Sequence, residues 1–267
     1  VDPGLGLLHR FGASVMSGPM VEIRNVHKSF GGQQVLRGVD LQVTQGEILV
    51  IIGRSGGGKS VLLKHLMGLL KPDQGQIVIN GQEISRLRGR ELDQLRERFG
   101  VVFQGGALFD SLTVFENVAF PLREKTRLPE EAIREKALTL LKQVNLADMG
   151  HKYPAEVSGG MRKRVALARA LTMEPEIVLF DEPTTGLDPI MVNAIHRLIL
   201  DLHRRVGFTA ILVSHEIPEI FGIADRVAML HRGAVVEAGT PEAIQASANP
   251  VIRQFITGDP EGPIQPD

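Results

Sequence analysis

The chain has 267 residues, with 30 Lys plus Arg against 31 Asp plus Glu and a formal charge of −1. This near-neutral balance gives no electrostatic ground for a nucleic-acid surface, so no nucleic-acid partner is expected. There is no cysteine, which excludes disulfides, thiolate metal sites and cysteine nucleophiles, and no apolar run approaches the ~20 residues that span a bilayer, so membrane association is expected only through a partner.

Residues 1–19 carry Pro3, Pro19 and several glycines without a steady apolar period. They are expected to be a disordered or appended extension. Val21 to Val26 and Val35 to Val43 alternate apolar and polar residues, as strands with one buried face do. The wholly apolar Ile48 to Ile52 then runs into Gly53-Arg54-Ser55-Gly56-Gly57-Gly58-Lys59-Ser60. This fits G-x-x-x-x-G-K-[ST] in the context the motif requires: buried strand, glycine-rich turn, helix (Val61 to Leu70). Glycines let backbone N–H groups approach phosphate oxygens closely. Lys59 is expected to reach the β- and γ-phosphates of ATP, and Ser60 to give its hydroxyl to Mg²⁺.

Gln76 to Gly81 and Phe99 to Phe103 read as further strands, the second ending at Gln104. A neutral amide at that edge suits a metal or an attacking water, and an ordinary loop amide fits the local sequence equally well. Residues 106–171 change character. Ile133, Ala137, Leu140, Leu141 and Val144 recur at helical spacing and Arg162 to Met173 continues as a helix, so a mostly helical insertion is expected. Within it, Val157-Ser158-Gly159-Gly160-Met161 precedes a helix as a second phosphate-cradling segment far from Lys59. One nucleotide does not need two such sites.

The apolar run Ile177 to Phe180 delivers Asp181 and Glu182 to a strand's C-terminal edge, where α/β sheets bind ligands. Asp181 is suited to Mg²⁺, and Glu182, one step further on, to orienting or deprotonating the attacking water. That pairing argues for hydrolysis. A second apolar strand, Thr209 to Val213, leads to Ser214-His215-Glu216, which puts His215 at the same edge and in reach of a γ-phosphate. Ile190 to Val206 and Ile217 to Ala224 carry helix patterns, and the Pro-rich tail from Asn249 reads as partly extended. Strands alternating with helices imply a parallel sheet flanked by helices.

Together these motifs resemble, over residues 21–245, the ATPase subunit of an ABC transporter. The resemblance implies an α/β fold: a RecA-like P-loop NTPase parallel-sheet core, an N-terminal antiparallel β subdomain and an inserted α-helical subdomain. The implied ATPase domain is 20–248, with the helical part at about 106–171 and a tail at 249–267. It further implies a homodimer in which Ser158, Gly159, Gly160 and Met161 of one subunit close over ATP bound by the other. Phe30 takes the position of the ring stacked on adenine, and residues Gly53 to Val61 form the nucleotide cradle. Gln104 becomes the hinge to the helical subdomain and a Mg²⁺ contact, Asp188 part of the loop crossing between subunits, and His215 the γ-phosphate switch. Some positions depart from the family pattern: Val157 and Met161 stand where Leu and Gln are usual, Val61 replaces a hydroxyl residue, and Glu216 stands where Asp is frequent. These are expected to adjust turnover without removing activity.

The apolar run Phe103 to Leu122, with Ser-Gly-Gly-Met-Arg-Lys-Arg and Thr-Thr-Gly-Leu-Asp-Pro-Ile, is similar to ATPases of the bacterial system that maintains outer-membrane lipid asymmetry. That resemblance implies phospholipid transport between the inner and outer membranes, with this chain held at the cytoplasmic face of the inner membrane through a permease. Its implied partners are an integral-membrane permease, a small STAS-domain subunit and a periplasmic lipid-binding subunit. Leu108, Phe109, Leu112, Val114 and Phe115 are candidates for a docking-groove wall. The alternatives are an importer ATPase for an amino acid or other metabolite, a soluble non-transport ABC protein, and a small-molecule P-loop kinase. Ser158-Gly159-Gly160 and Glu182 disfavour the kinase.

Overall fold

A computed structural model describes residues 18–265. Most of the extension expected over residues 1–19, and residues 266–267, lie outside the described residues. In chain order the elements are β1 (Val21–Phe30), β2 (Gln33–Val43), β3 (Ile48–Ile52), α1 (Lys59–Leu66), β4 (Gln74–Ile79), β5 (Gln82–Glu83), α2 (Gly89–Arg96), β6 (Phe99–Val102) and α3 (Val114–Lys125). There follow α4 (Glu130–Gln143), α5 (Gly159–Leu171), β7 (Ile177–Asp181), α6 (Pro189–Val206), β8 (Thr209–Ser214), β9 (Arg226–His231), β10 (Ala234–Gly239), α7 (Pro241–Gln245) and α8 (Pro250–Thr257).

Two sheets form. The first is antiparallel, in the order β2-β1-β4-β5; the second runs β10-β9-β3-β8-β7-β6. Its strands are parallel except β10, which turns back against β9. Parallel strands share one C-terminal edge, so the P-loop after β3, Asp181 at the end of β7 and Glu182 beyond it, His215 after β8 and Gln104 after β6 are all delivered to it.

β3 is buried along its whole length because both of its faces are covered. Ile48, Val50 and Ile52 join the core under the helices. Leu49 and Ile51 point the other way, into the core shared with α1 and the antiparallel sheet. Helices α3, α4 and α5 fall within residues 106–171. Among the described residues, no helix is long and apolar enough to cross a membrane.

Several expected boundaries move, for local reasons. α1 stops at Leu66, not Leu70, because Gly68 takes a left-handed φ of 64° and ends the helix. α5 starts at Gly159, three residues earlier than its apolar pattern suggests, because the Ser158 hydroxyl caps it by accepting from the Met161 N–H at 3.2 Å. The helix expected over Ile217 to Ala224 is only a 3-10 turn, Glu219–Gly222; Pro218 precedes it and has no N–H to donate to a helix.

The tail is not extended. α8 is capped by Asn249, and Ile252 enters the helix-side core. Beyond it, the buried Gln254 holds Ile264 at both backbone groups: Oε1 accepts from the Ile264 N–H at 2.7 Å and Nε2 donates to the Ile264 carbonyl at 3.0 Å.

Candidate active site

The P-loop leaves β3 through Gly53, whose φ of 151° places a would-be Cβ only 2.2 Å from the Leu230 carbonyl oxygen. A side chain there would drive β9 away, so glycine is a steric requirement. Lys59 opens α1 and is buried; its Nζ donates to the carbonyls of Gly53 at 2.7 Å and Arg54 at 2.8 Å, curling the loop over itself. Burial pushes the Lys59 ammonium below its ordinary range, while Glu182 and Asp181 pull it back up. The Arg54 guanidinium donates to the Gln265 carbonyl, which ties the tail to the loop. Ser55 and Gly56 stand toward solvent, Gly57 is half-buried, and Gly58, at φ 100°, precedes the helix. Val61 packs against the core, and its carbonyl accepts from His65 Nδ1 at 2.7 Å.

Ser60 Oγ donates to Asp181 Oδ1 at 2.9 Å across the sheet edge. A hydroxyl and a carboxylate so close are the hard oxygen donors Mg²⁺ accepts while it keeps waters and substrate phosphates as its other ligands, so these residues fit that ion. Glu182 sits one residue on, in a left-handed conformation (φ 49°), with its N–H still bonded to the Val213 carbonyl at 3.0 Å. Its Oε1 lies 3.2 Å from His215 Nδ1 and 4.0 Å from Lys59 Nζ. Its Oε2 accepts from Thr185 Oγ1 at 3.1 Å. The carboxylate is therefore fixed on both oxygens between a cation, an imidazole and a hydroxyl. Next to it, Thr184 Oγ1 donates to the Glu216 carboxylate, and the Glu216 N–H donates to Ser214 Oγ at 3.0 Å.

On the β1–β2 side, Phe30 ends its strand 45% exposed, with Lys28 Nζ 5.5 Å from the ring centroid. A hollow between this hairpin and the P-loop is lined by Gln33, Gln34, Arg37, Gly56, Gly57 and Arg232. Two guanidinium groups beside a glycine-rich loop favour an anionic ligand. Lys59, Ser60, Asp181, Glu182 and His215 are brought together by direct contacts.

Ser158 and Gly159 to Met161 are not part of that cluster. Among the described residues, no hydrogen bond or ion pair joins them to the P-loop. The two glycines face the start of α6 and the loop before it instead: a Cβ on Gly159 would meet Leu187 at 3.7 Å, and one on Gly160 would meet Met191 Cε at 2.3 Å. Asp188 caps α6, accepting from Ile190 N at 3.0 Å and Met191 N at 3.1 Å. The Gln104 side chain is exposed, and its backbone carbonyl accepts from Lys163 Nζ.

Thr185 as the partner of Glu182, Thr184 as the partner of Glu216, and Lys163 beneath Gln104 were not singled out from sequence. The hydroxyls follow Asp-Glu-Pro directly, so proximity to the acids was the available signal; Lys163 carried none, being one of several cations in a helix.

The expected groove exists with different walls. It holds about 470 Å³ and is lined in part by Phe99, Phe103, Phe109, Phe120, Pro121 and Met173. Of the five residues named from sequence only Phe109 contributes: Val114 is fully buried, and Phe115 lines a separate hollow with Arg123 and Arg134.

Residues 36–185 match the family model described as ABC transporter. The chain is 42% identical over 250 residues to the intermembrane phospholipid transport system ATP-binding protein MlaF of Haemophilus influenzae, covering 94% of this chain and 95% of that protein. It is also 42% identical over 247 residues to the probable ribonucleotide transport ATP-binding protein mkl of Mycobacterium leprae, covering 92% of this chain and 71% of that one. Among solved structures, a dimeric ATP-binding cassette in a post-hydrolysis state bound to ADP and Pi superposes with a TM-score of 0.76 at 35% identity, covering 83% of this chain and 99% of that one.

Proposed function

We propose, from the premise that this chain belongs to the ABC transporter family, that it hydrolyses ATP to drive phospholipid transport through a membrane permease. The observation that carries the chemistry is Glu182, held on both oxygens at the edge where Lys59, Ser60 and Asp181 meet. Phe30 stacks on adenine, and the backbone of residues 53–61 cradles the phosphates. Lys59 exchanges the Gly53 and Arg54 carbonyls for phosphate oxygens. Glu182 takes a proton from water aligned on the γ-phosphate, and His215 holds the carboxylate and the phosphate in one geometry. Ser60, Asp181 and the side chain of Gln104 would hold Mg²⁺, which supplies charge neutralisation for the phosphates.

The signature, Ser158 to Met161, whose serine is exposed, meets the γ-phosphate of a second copy, with Asp188 crossing between them. One cassette per chain thus makes a homodimer with two shared sites. In this reading residues 20–248 are the ATPase domain, about 106–171 its helical subdomain and 249–267 the tail. The groove at Phe103 and Phe109 receives an apolar segment of the permease, which holds the chain at the cytoplasmic face of the inner membrane. A STAS-domain subunit and a periplasmic lipid-binding subunit complete the assembly. The near-complete mutual coverage with MlaF favours phospholipid as cargo. The equal identity to mkl keeps a small metabolite such as a ribonucleotide as the second reading.

Glu182→Gln is expected to slow hydrolysis by ~10²–10³ while the protein still binds ATP and accumulates as a nucleotide-bound dimer in size exclusion. Steady-state hydrolysis at the unaltered rate would remove Glu182 from its role. Lipids and subunits recovered with the chain in a native pull-down decide between the two cargoes.

A further inference from the structure

The loop after β6 and the helix α5 are joined by three side-chain-to-backbone bonds. Lys163 Nζ donates to the Gln104 carbonyl. Arg169 Nη2 donates to the Gly106 carbonyl at 2.8 Å, and Nη1 to the Ala107 carbonyl at 2.7 Å. Gly106 and Ala107 are both left-handed, at φ 76° and 47°. An alanine keeps that conformation only when its surroundings hold it; here the planar Arg169 fork is bonded to both successive carbonyls.

Ala107 and Arg169 also line the groove, beside Phe103 and Phe109. At the other end of α5, roughly 16 Å away by helical rise, Ser158 caps the helix. Lys163 lies between these ends, buried and under the electrostatic influence of Glu216 and Glu182.

We propose that Lys163 and Arg169 are positioning residues that lock residues 104–107 onto α5, so that the groove wall, Gln104 and the signature serine move as one rigid body during turnover. Neither residue touches nucleotide in the reading above, on which this inference rests. Pressure from an occupant of the groove on Ala107 and Arg169 is passed along the helix to Ser158, without sliding of the loop against the helix.

The test uses the full chain, steady-state ATP hydrolysis, binding of a non-hydrolysable ATP analogue and thermal midpoints. Arg169→Met is expected to lower kcat about tenfold, with analogue affinity and thermal midpoint little changed, and Arg169→Lys to recover part of the loss because one carbonyl keeps a charged donor. An unchanged kcat, or kcat, affinity and midpoint falling together, overturns the positioning role.

A second measurement does not depend on those variants. A Cβ on Gly106 would lie 3.6 Å from that of Ala166, within the ~3.5–4.5 Å of a disulfide. In this cysteine-free chain, Gly106→Cys with Ala166→Cys is expected to turn over equally well oxidised and reduced. Activity lost on oxidation and regained on reduction would mean that the loop slides, and the rigid body is refuted. An unaltered chain that fails to hydrolyse ATP defeats the functional reading itself; an active one whose variants behave like it defeats only the lock.

Discussion

Glu182, to which the proposed reading gives the chemistry, sits on a backbone that local sequence does not favour. A non-glycine residue at φ 49° stores roughly 1–3 kcal/mol, and the contacts of Glu182 with Thr185, His215 and Lys59 are what hold it there. Thr185→Val keeps the shape of the side chain and deletes only the bond to Oε2. It is expected to lower kcat about tenfold, the effect of one hydrogen bond to a charged group, with ATP affinity retained in an equilibrium binding assay. A second residue acts on stability rather than turnover. His196, inside α6, is buried with neither ring nitrogen hydrogen-bonded, and burial lowers its pKa to about 4. The fold therefore keeps it neutral where the unfolded chain, at about 6.5, binds a proton. Between those values the unfolded state holds more protons, so stability falls as the pH drops. From pH 7 to pH 5 this histidine is expected to cost about 2 kcal/mol. Urea midpoints for His196→Leu should lack that part of the acid slope; an identical slope in both proteins would refute it.

Elements were legible where one signal dominated. The apolar strand before the P-loop and the one before Asp181 announced themselves because both faces are buried, and the resulting shared sheet edge explains why Lys59, Asp181 and His215 could be placed together from sequence. Helix ends were less legible, since they depend on single residues: Gly68 cuts α1 short, Ser158 starts α5 early, and Pro218 leaves only a 3-10 turn where apolar spacing suggested a helix. The groove was half legible. Apolar content in residues 103–122 indicated a surface, but which residues of α3 face it depends on how that helix sits on α5: Phe120 lines the groove and Val114 is buried, while Phe109, ahead of the helix, stands exposed beside Phe120. The tail was misread because its prolines suggest extension, whereas Gln254 supplies a long-range clasp that no local pattern encodes. Gln254→Ala leaves the N–H and carbonyl of Ile264 without those partners. Amide exchange at Ile264 is expected to accelerate while α1 keeps its protection, at a cost of about 1–3 kcal/mol to the clasp. Unchanged protection at Ile264 would show that the segment is held by packing alone.

On the proposed reading, the molecule as a whole has one half-site at each of two places. The P-loop and Glu182 form a connected cluster, while Ser158 to Met161 lies apart from it, packed against Leu187 and Met191 with Ser158 exposed. If that helix start cradles phosphate, as proposed, a second copy must supply the bound nucleotide, and two-fold symmetry then gives two equivalent composite sites. The arrangement has a consequence that no single-chain site shares. Lys59→Ala cripples the P-loop half and Ser158→Arg the signature half, so each variant alone is expected to be inactive. Mixed in equal amounts they form heterodimers in which the P-loop of the Ser158→Arg chain meets the signature of the Lys59→Ala chain. That one pocket is intact, and the other is doubly damaged. With random pairing, half of the dimers carry one working pocket of two, so recovery of roughly a quarter of the unaltered rate is expected when the two sites act independently. Partial recovery above both parents places Ser158 in trans; a mixture as silent as its components, despite heterodimers visible by native mass spectrometry, would count against a pocket shared in this way.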